Sequence, residues 1–129
     1  MLALEDYAKT TQVSPKLKEL IKIRASQINK CANCIDMHTE DAVKLGESER
    51  RIYLLSAWKE SHLFTDEEKA VLQLTEEVTH ISADGVADET YNNVVNYFGE
   101  KITAQIIMLI VIINSWNRIA VSTKMIYKQ

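Results

Sequence analysis

The chain has 129 residues, of which 47% are hydrophobic and 26% are charged, and it carries a formal net charge of −3. This composition excludes an intrinsically disordered chain, and the length fits one domain that spans residues 1–129. The small negative charge and the lack of a Lys/Arg cluster argue against nucleic acid as a partner.

The N-terminal segment, Met-Leu-Ala-Leu-Glu-Asp, lacks the basic and apolar regions of a signal peptide. The longest uninterrupted apolar run is eight residues, from Ile106 to Ile113. Because a helix that crosses a bilayer needs about 20 apolar residues, we expect a soluble, cytoplasmic protein without a membrane partner.

Apolar residues recur at intervals of three and four almost throughout the chain, whereas the alternating runs typical of strands are missing from the sequence. This pattern predicts an all-α fold of about six helices, preceded by a short N-terminal helix near residues 3–10. Ser14 is a typical N-cap and Pro15 suits the first helical position, so they predict a helix that ends near Asn29. A helix over about residues 31–45 follows and ends before a glycine.

Further capping signals divide the rest of the chain. We expect Ser48 to cap a helix that turns three apolar side chains inward: Ile52, Leu55 and Trp58. Thr65 and Glu68 have the spacing of a capping box and open a helix with one apolar face: Ala70, Val71, Leu74 and Val78. Asp88 is expected to cap a helix that ends near Gly99, and the last helix spans about residues 102–123.

That last helix is apolar on nearly every side between Ile106 and Ile113. A helix of this kind must be covered all round, and the other helices of one small domain can cover only part of it. We therefore expect part of this helix to lie in a subunit interface, which predicts a homo-oligomer.

The two cysteines of the chain form a single Cys-x-x-Cys motif. Such a pair closes almost no loop, so it indicates redox or metal chemistry rather than a structural cross-link. On a helix, Cys31, Cys34 and His38 fall within about 60° of one another, and Cys34 and His38 are one turn apart. Glu19 lies on the preceding helix and reaches the same place only if the two helices form a hairpin.

These residue types suit the reduction of a peroxide. The attacking species is a thiolate, and a free cysteine, with a pKa of about 8.5, is mostly protonated at neutral pH. His38 can accept the thiol proton, and Glu19 can orient the histidine or relay the proton. Peroxide attack leaves a sulfenic acid, which a second thiol converts to a disulfide. Proximity to His38 favours Cys34 as the attacking thiol with Cys31 as its resolving partner, although the position of Cys31 at the helix N-terminus favours the reverse order.

Other interpretations of the motif remain open at this stage. Two cysteines, a histidine and a glutamate are also a zinc ligand set, but three ligands on one helical face suit a tetrahedral ion poorly, so we expect no metal and no cofactor. Two inert, buried cysteines are the other alternative. The remaining histidines and two acidic residues are expected to be ordinary surface residues: His62, His80, Glu76 and Glu77.

The spacing of these residues resembles that of a known family. Glu19, eleven residues, Cys31-x-x-Cys34, three residues and His38 match the motif of the alkylhydroperoxidase D-like (AhpD-like) proteins, within the carboxymuconolactone decarboxylase fold group. The flanking Leu-Ile-Lys-Ile-Arg-Ala-Ser-Gln-Ile-Asn, the segment from Thr65 and the stretch around Asn114 to Arg118 are similar to the family too.

This resemblance implies a helical peroxidase that works through a disulfide and assembles as a homo-trimer or homo-hexamer. Its partners would be a hydroperoxide substrate and a dithiol reductant, a thioredoxin- or lipoamide-like donor. In the best-studied members a second histidine stands directly before the second cysteine, and here that position is Asn33. Two rival functions remain: a carboxymuconolactone decarboxylase-like enzyme, which does not rely on the dithiol, and a non-enzymatic oligomeric redox sensor or binding module.

Overall fold

Helices form all the regular structure in residues 1–127, the part of the chain that the computed structural model describes. Within these residues the all-α prediction is confirmed, with seven α-helices and one 3-10 turn (Leu55–Ala57) after the fourth helix. The helices are α1 (Leu2–Lys9), α2 (Pro15–Ile28), α3 (Ala32–Lys44), α4 (Glu49–Leu54), α5 (Asp66–Thr79), α6 (Ile81–Asp84) and α7 (Asp88–Thr123).

Side-chain caps begin three of these helices where the sequence predicts them. The Ser14 hydroxyl accepts the backbone N–H of the third residue of α2, and the Ser48 hydroxyl does the same for α4. Thr65 and Glu68 form a complete capping box at the start of α5. Each cap satisfies an N–H group that the helix itself leaves without an acceptor.

The start of α7 differs from the prediction. Ala87 is the N-cap, without a side-chain hydrogen bond, and Asp88 is already the first helical residue. An acidic residue in the first turn still interacts favourably with the positive end of the helix dipole. Gly99, with φ of 82° and ψ of 166°, leaves helical geometry inside α7. The predicted break is thus a one-residue kink between two helical segments, and the short α6 is an element that the sequence did not predict.

Helix α2 is central to the fold, since it packs against α3, α5 and α7. One apolar cluster joins α7 to α2 and α5, and a second lies between α2, α3, α4 and α5. Leu20, Ile21 and Ile23 of α2 have no exposed surface because they face these two clusters. The burial fixes the orientation of α2, and with it the direction of the polar residues at its edge.

By length and composition alone, α7 could cross a bilayer, since the mean hydropathy of its most apolar 18-residue window is 1.6. In this structure its apolar segment instead packs against α2 and α5, as the core helix of a globular domain does.

The other helices cover more of α7 than the sequence predicts. Within the run 106–113, five residues are buried by the chain itself, two are half-buried and Val111 is 40% exposed. The reason is that α2 and α5 flank α7 on two sides and α1 and α3 also touch it. A narrow apolar strip remains uncovered.

Candidate active site

The turn between α2 and α3 reverses the chain directly before the cysteine motif and positions Cys31. Asn29 is the C-cap of α2, and Lys30 has a positive φ of 56° that reverses the chain. The backbone N–H of Cys31 then donates to the Ser26 carbonyl at 3.0 Å. This short turn makes α2 and α3 a hairpin, which is the condition for Glu19 to reach the motif.

Cys31 and Cys34 are joined by a disulfide, and their Cα atoms are 5.3 Å apart. Cys31 is the N-cap of α3 with an extended backbone (φ −92°, ψ 96°), so it stands outside the helix that carries Cys34. Its Sγ atom accepts the backbone N–H of Cys34 at 3.2 Å. Both residues are almost fully buried and pack against Ala120 of α7. The structure is therefore that of the oxidised protein.

Glu19 and His38 are brought together as the motif predicts. Oε2 of Glu19 lies 3.0 Å from Nδ1 of His38, and both residues are buried. Burial acts to raise the pKa of Glu19, but the hydrogen bond with His38 and the nearby charge of Lys22 outweigh it and hold this pKa below its ordinary value. An ionised carboxylate can only accept, so Nδ1 carries the hydrogen and donates it to Glu19. In the neutral ring, Nε2 is then the nitrogen that can take up a proton.

A half-open pocket of about 550 Å³ lies beside the disulfide. Cys34 and His38 both line it, whereas Cys31 and Glu19 are not among the lining residues. Asn33, the residue that replaces the family's second histidine, also faces this space. The rest of the wall comes from both ends of the chain and from α2, α3 and α7: Glu5, Lys22, Met37, Asp41, Trp116, Ala120, Met125, Ile126 and Tyr127.

The metal-ligating potential of the site does not involve the cysteines. Their sulfur atoms are used in the disulfide, so the ligand set considered from the sequence is not assembled in this state. Instead, donor atoms of Glu19, His38 and Asp41 all lie within 4.8 Å of one another. Sequence reasoning missed Asp41, although its position three residues after His38 on a helix places both side chains on one face.

Two acidic residues expected at the solvated surface have structural partners instead. Glu76 accepts hydrogen bonds from Arg24 Nε at 3.0 Å and Trp58 Nε1 at 2.6 Å. Glu77 accepts one from the Thr90 hydroxyl at 2.6 Å. These donors come from other segments of the chain, so no pattern local to α5 could reveal them. His62 and His80 are exposed, as predicted.

The polar residues of α7 hold the turn that precedes the motif. Asn29 Nδ2 donates to the side-chain oxygens of Asn114 and Asn117, at 2.9 Å in each case. Asn117 is fully buried, and its amide donates to the Ser26 hydroxyl at 3.0 Å. Hydrogen bonds within the chain therefore account for these asparagines, and α7 is tied to the turn that carries Cys31.

Comparison with known proteins connects this arrangement to a family. The sequence profile of the carboxymuconolactone decarboxylase family matches residues 1–77. YdfG, an uncharacterized protein of Bacillus subtilis (strain 168), is 47% identical over 122 residues, which cover 95% of this chain and 83% of YdfG.

Two solved structures resemble the whole domain. One, from Agrobacterium tumefaciens, is of a protein of unknown function described as a candidate antioxidant defence protein, AhpD. It superposes with a TM-score of 0.96 at 37% identity, over 99% of this chain and 88% of that chain. The other is an uncharacterized peroxidase-related protein from Silicibacter sp. TM1040. Its TM-score is 0.86 at 20% identity, over 97% of this chain and 66% of that chain, a likeness of fold alone.

Proposed function

The chain belongs to the carboxymuconolactone decarboxylase family, and we propose that, as an AhpD-like member, it is a thiol-dependent hydroperoxide reductase. One observation carries the proposal. Cys34 of a Cys31–Cys34 disulfide faces the same pocket as His38, whose other ring nitrogen is held by the buried carboxylate of Glu19. The description of the Agrobacterium tumefaciens relative as a candidate antioxidant defence protein supports the same chemical class.

The first step starts from the reduced protein. Nε2 of His38 takes the thiol proton of Cys34, and Glu19 stabilises the imidazolium that results. The thiolate attacks the outer oxygen of the hydroperoxide, the O–O bond breaks, and the leaving alkoxide takes the proton back from His38. Cys34 becomes a sulfenic acid and the hydroperoxide becomes an alcohol.

The second step forms the disulfide that the structure shows. The Cys31 thiol attacks the Cys34 sulfenic acid, an S–S bond forms and water leaves. An external dithiol of the thioredoxin or lipoamide type then reduces the disulfide and becomes a disulfide itself. The sum is one hydroperoxide and one dithiol converted to one alcohol, one water and one donor disulfide.

Access supports the order of the two cysteines. Both cysteines are almost fully buried, but Cys34 lines the pocket, where a peroxide can bind, whereas Cys31 lies outside the lining. The N–H of Cys34 already points at the Cys31 sulfur, which keeps the resolving residue next to its target. This geometry favours Cys34 as the nucleophile and Cys31 as the resolving thiol.

The test is consumption of an organic hydroperoxide by the purified protein with a dithiol donor in excess. We expect many equivalents of peroxide to be consumed per chain, and none above background with Cys34→Ser. A disulfide switch without turnover would consume a single equivalent and then stop. That result would refute the reductase, and full activity in Cys34→Ser would refute the dithiol mechanism.

A further inference from the structure

A cluster of three ligand-type side chains lies at the edge of the pocket. Glu19 of α2 and His38 and Asp41 of α3 place one donor atom each within 4.8 Å of the other two. Glu19 and His38 are more than nine-tenths buried, and Asp41 is half-buried and lines the pocket. The first two side chains are thus held rigidly, and the third is open to solutes that enter the pocket.

No side-chain hydrogen bond or ion pair of Asp41 is found within residues 1–127, although its carboxylate lies next to the Glu19–His38 pair. A carboxylate placed beside a second carboxylate pays for mutual repulsion unless a positive charge lies between them. Asp41 is therefore the one member of the cluster whose position the packing and the proton relay leave unexplained.

The local charge favours a cation. Glu5, Glu19 and Asp41 contribute three negative charges near the pocket wall, and Lys22 contributes one positive charge. Lys22 Nζ lies 3.5 Å from Oε1 of Glu19, whereas Oε2 accepts the hydrogen bond from His38 that a bound ion would replace. The cluster of the Glu19 and Asp41 carboxylates and the His38 imidazole therefore has a net negative charge.

The geometry suits a small divalent ion. Zinc binds imidazole nitrogen and carboxylate oxygen at about 2.0–2.2 Å, often with three protein ligands and an open fourth position. Tetrahedral bonds of that length separate the donors by about 3.3–3.6 Å. The donor atoms of Glu19 and His38 are 3.0 Å apart, and Asp41 has a donor atom within 4.8 Å of both, so the set reaches these distances when both carboxylate side chains shift.

We infer that Glu19, His38 and Asp41 form a binding site for a divalent transition-metal ion of the zinc type, with the open coordination position facing the pocket. The cysteines take no part, so the site exists in the oxidised protein.

Metal binding and proton relay exclude each other, a consequence that rests on the proposed function. An ion on Nδ1 of His38 replaces the hydrogen that now joins it to Glu19. An ion on Nε2 occupies the nitrogen that takes the thiol proton. In both cases the bound ion blocks the first step, so a metal ion acts as an inhibitor of the peroxidase.

The test is titration of the oxidised, full-length protein with Zn²⁺ alone, followed by calorimetry and by the imidazole signals of His38 in NMR spectra. The oxidised form is used because free thiols would themselves bind zinc. We expect one ion per chain, a shift of the His38 signals, and affinity about tenfold or more weaker in Asp41→Asn. Lys22→Gln should bind the ion more tightly, because it removes the opposing charge.

Matched controls separate this site from surface binding. Asp36→Asn removes the same charge from an exposed position of α3, and His62→Gln removes an exposed histidine. Both should bind Zn²⁺ as the wild type does, and circular dichroism confirms that each variant is folded. Lack of binding at millimolar Zn²⁺, or equal affinity in wild type and folded Asp41→Asn, would overturn the inference. Neither result depends on peroxide turnover, so the reductase proposal is judged separately.

Discussion

Glu19 and His38 lie nineteen residues apart in the sequence, yet a 3.0 Å hydrogen bond joins Oε2 of the first to Nδ1 of the second. The bond connects α2 to α3 across the turn that carries Cys31. It fixes Nδ1 as the ring nitrogen of His38 that carries the hydrogen and leaves Nε2 as the one that can take up a proton.

Removal of either member of the pair should slow the reaction without unfolding the chain. In Glu19→Gln and His38→Ala we expect the pKa of the attacking thiol to rise, because the proton acceptor or its stabilising charge is lost. A general base contributes about 10²–10⁴-fold, so the rate at neutral pH should fall within that range for His38→Ala. The measurement is thiol alkylation against pH, in parallel with peroxide consumption. An unchanged thiol pKa in both variants would rule out the relay.

The resolving cysteine should be distinguishable from the attacking one. Cys31→Ser keeps the pocket-facing Cys34, so we expect one slow turnover followed by arrest, since no neighbouring thiol converts the sulfenic acid to a disulfide. Mass spectrometry should find Cys34 with two or three added oxygen atoms. Sustained turnover by Cys31→Ser would show that an external thiol resolves the intermediate.

The free energy of unfolding should decrease in acid, because hydrogen bonds and nearby positive charges lower the pKa values of two carboxylates in the folded state. Burial acts to raise the pKa of Glu68, but its hydrogen bonds to Arg51 and to the Thr65 backbone hold this pKa below 4.5, and the pKa of Glu19 is lowered too. A lowered pKa in the folded state adds stability that is complete above the unfolded pKa and is lost as pH falls through the folded pKa.

Urea unfolding should therefore have a constant midpoint from neutral pH down to about 5 and a falling midpoint below about 4.5. Glu68→Gln should lower the midpoint at neutral pH and reduce its decline in acid. A midpoint that rises on acidification would contradict the sign of these shifts.

The amide network between α7 and the α2–α3 turn should contribute measurably to stability. Asn117→Ala leaves the Asn29 amide and the Ser26 hydroxyl each without one partner in a buried place. Such a loss costs about 1–3 kcal/mol. Asn93→Ala, an exposed asparagine of the same helix, is the matched control and should change the free energy of unfolding by less than about 0.5 kcal/mol. Equal effects of the two variants would show that the network contributes nothing.

We propose a homo-oligomer, a trimer or hexamer, built on the uncovered strip of α7. The strip follows helical spacing and consists of the exposed Ala104, Val111 and Ile119, with the half-buried Met108 and Ser115 between them. Val111 and Ile119 are 40% and 37% exposed. Val111→Glu places a charge in the middle of it and should shift the mass in light scattering to the 14.7 kDa monomer. Tyr53→Glu, at an exposed position of α4, should leave the mass unchanged. A monomeric wild type at micromolar concentration would refute the assembly.

Local sequence determined the features that depend on neighbours along the chain. Ser14, Ser48 and the Thr65–Glu68 box begin helices as predicted, since each cap bonds to a backbone group within three residues. Gly99 kinks α7 because it adopts a φ of 82° that other residues rarely take. The proximity of Cys34 and His38 likewise follows from the period of one helix, whereas Cys31 stands outside that helix as its N-cap.

Tertiary structure alone decided the relations between distant segments. Only packing brings Trp58 and Arg24 within hydrogen-bonding distance of Glu76. Packing also places Tyr127 in the lining of the pocket and Asp41 next to the Glu19–His38 pair. It also decided how much of α7 the rest of the chain covers. From the sequence alone, more of the apolar surface of α7 is expected to be exposed than the structure leaves exposed. The physical reason is the separation along the chain over which each interaction acts, because capping and helical periodicity act within about one turn. The partners of a buried charge or an apolar helix face are instead chosen by whichever segments the core brings alongside them.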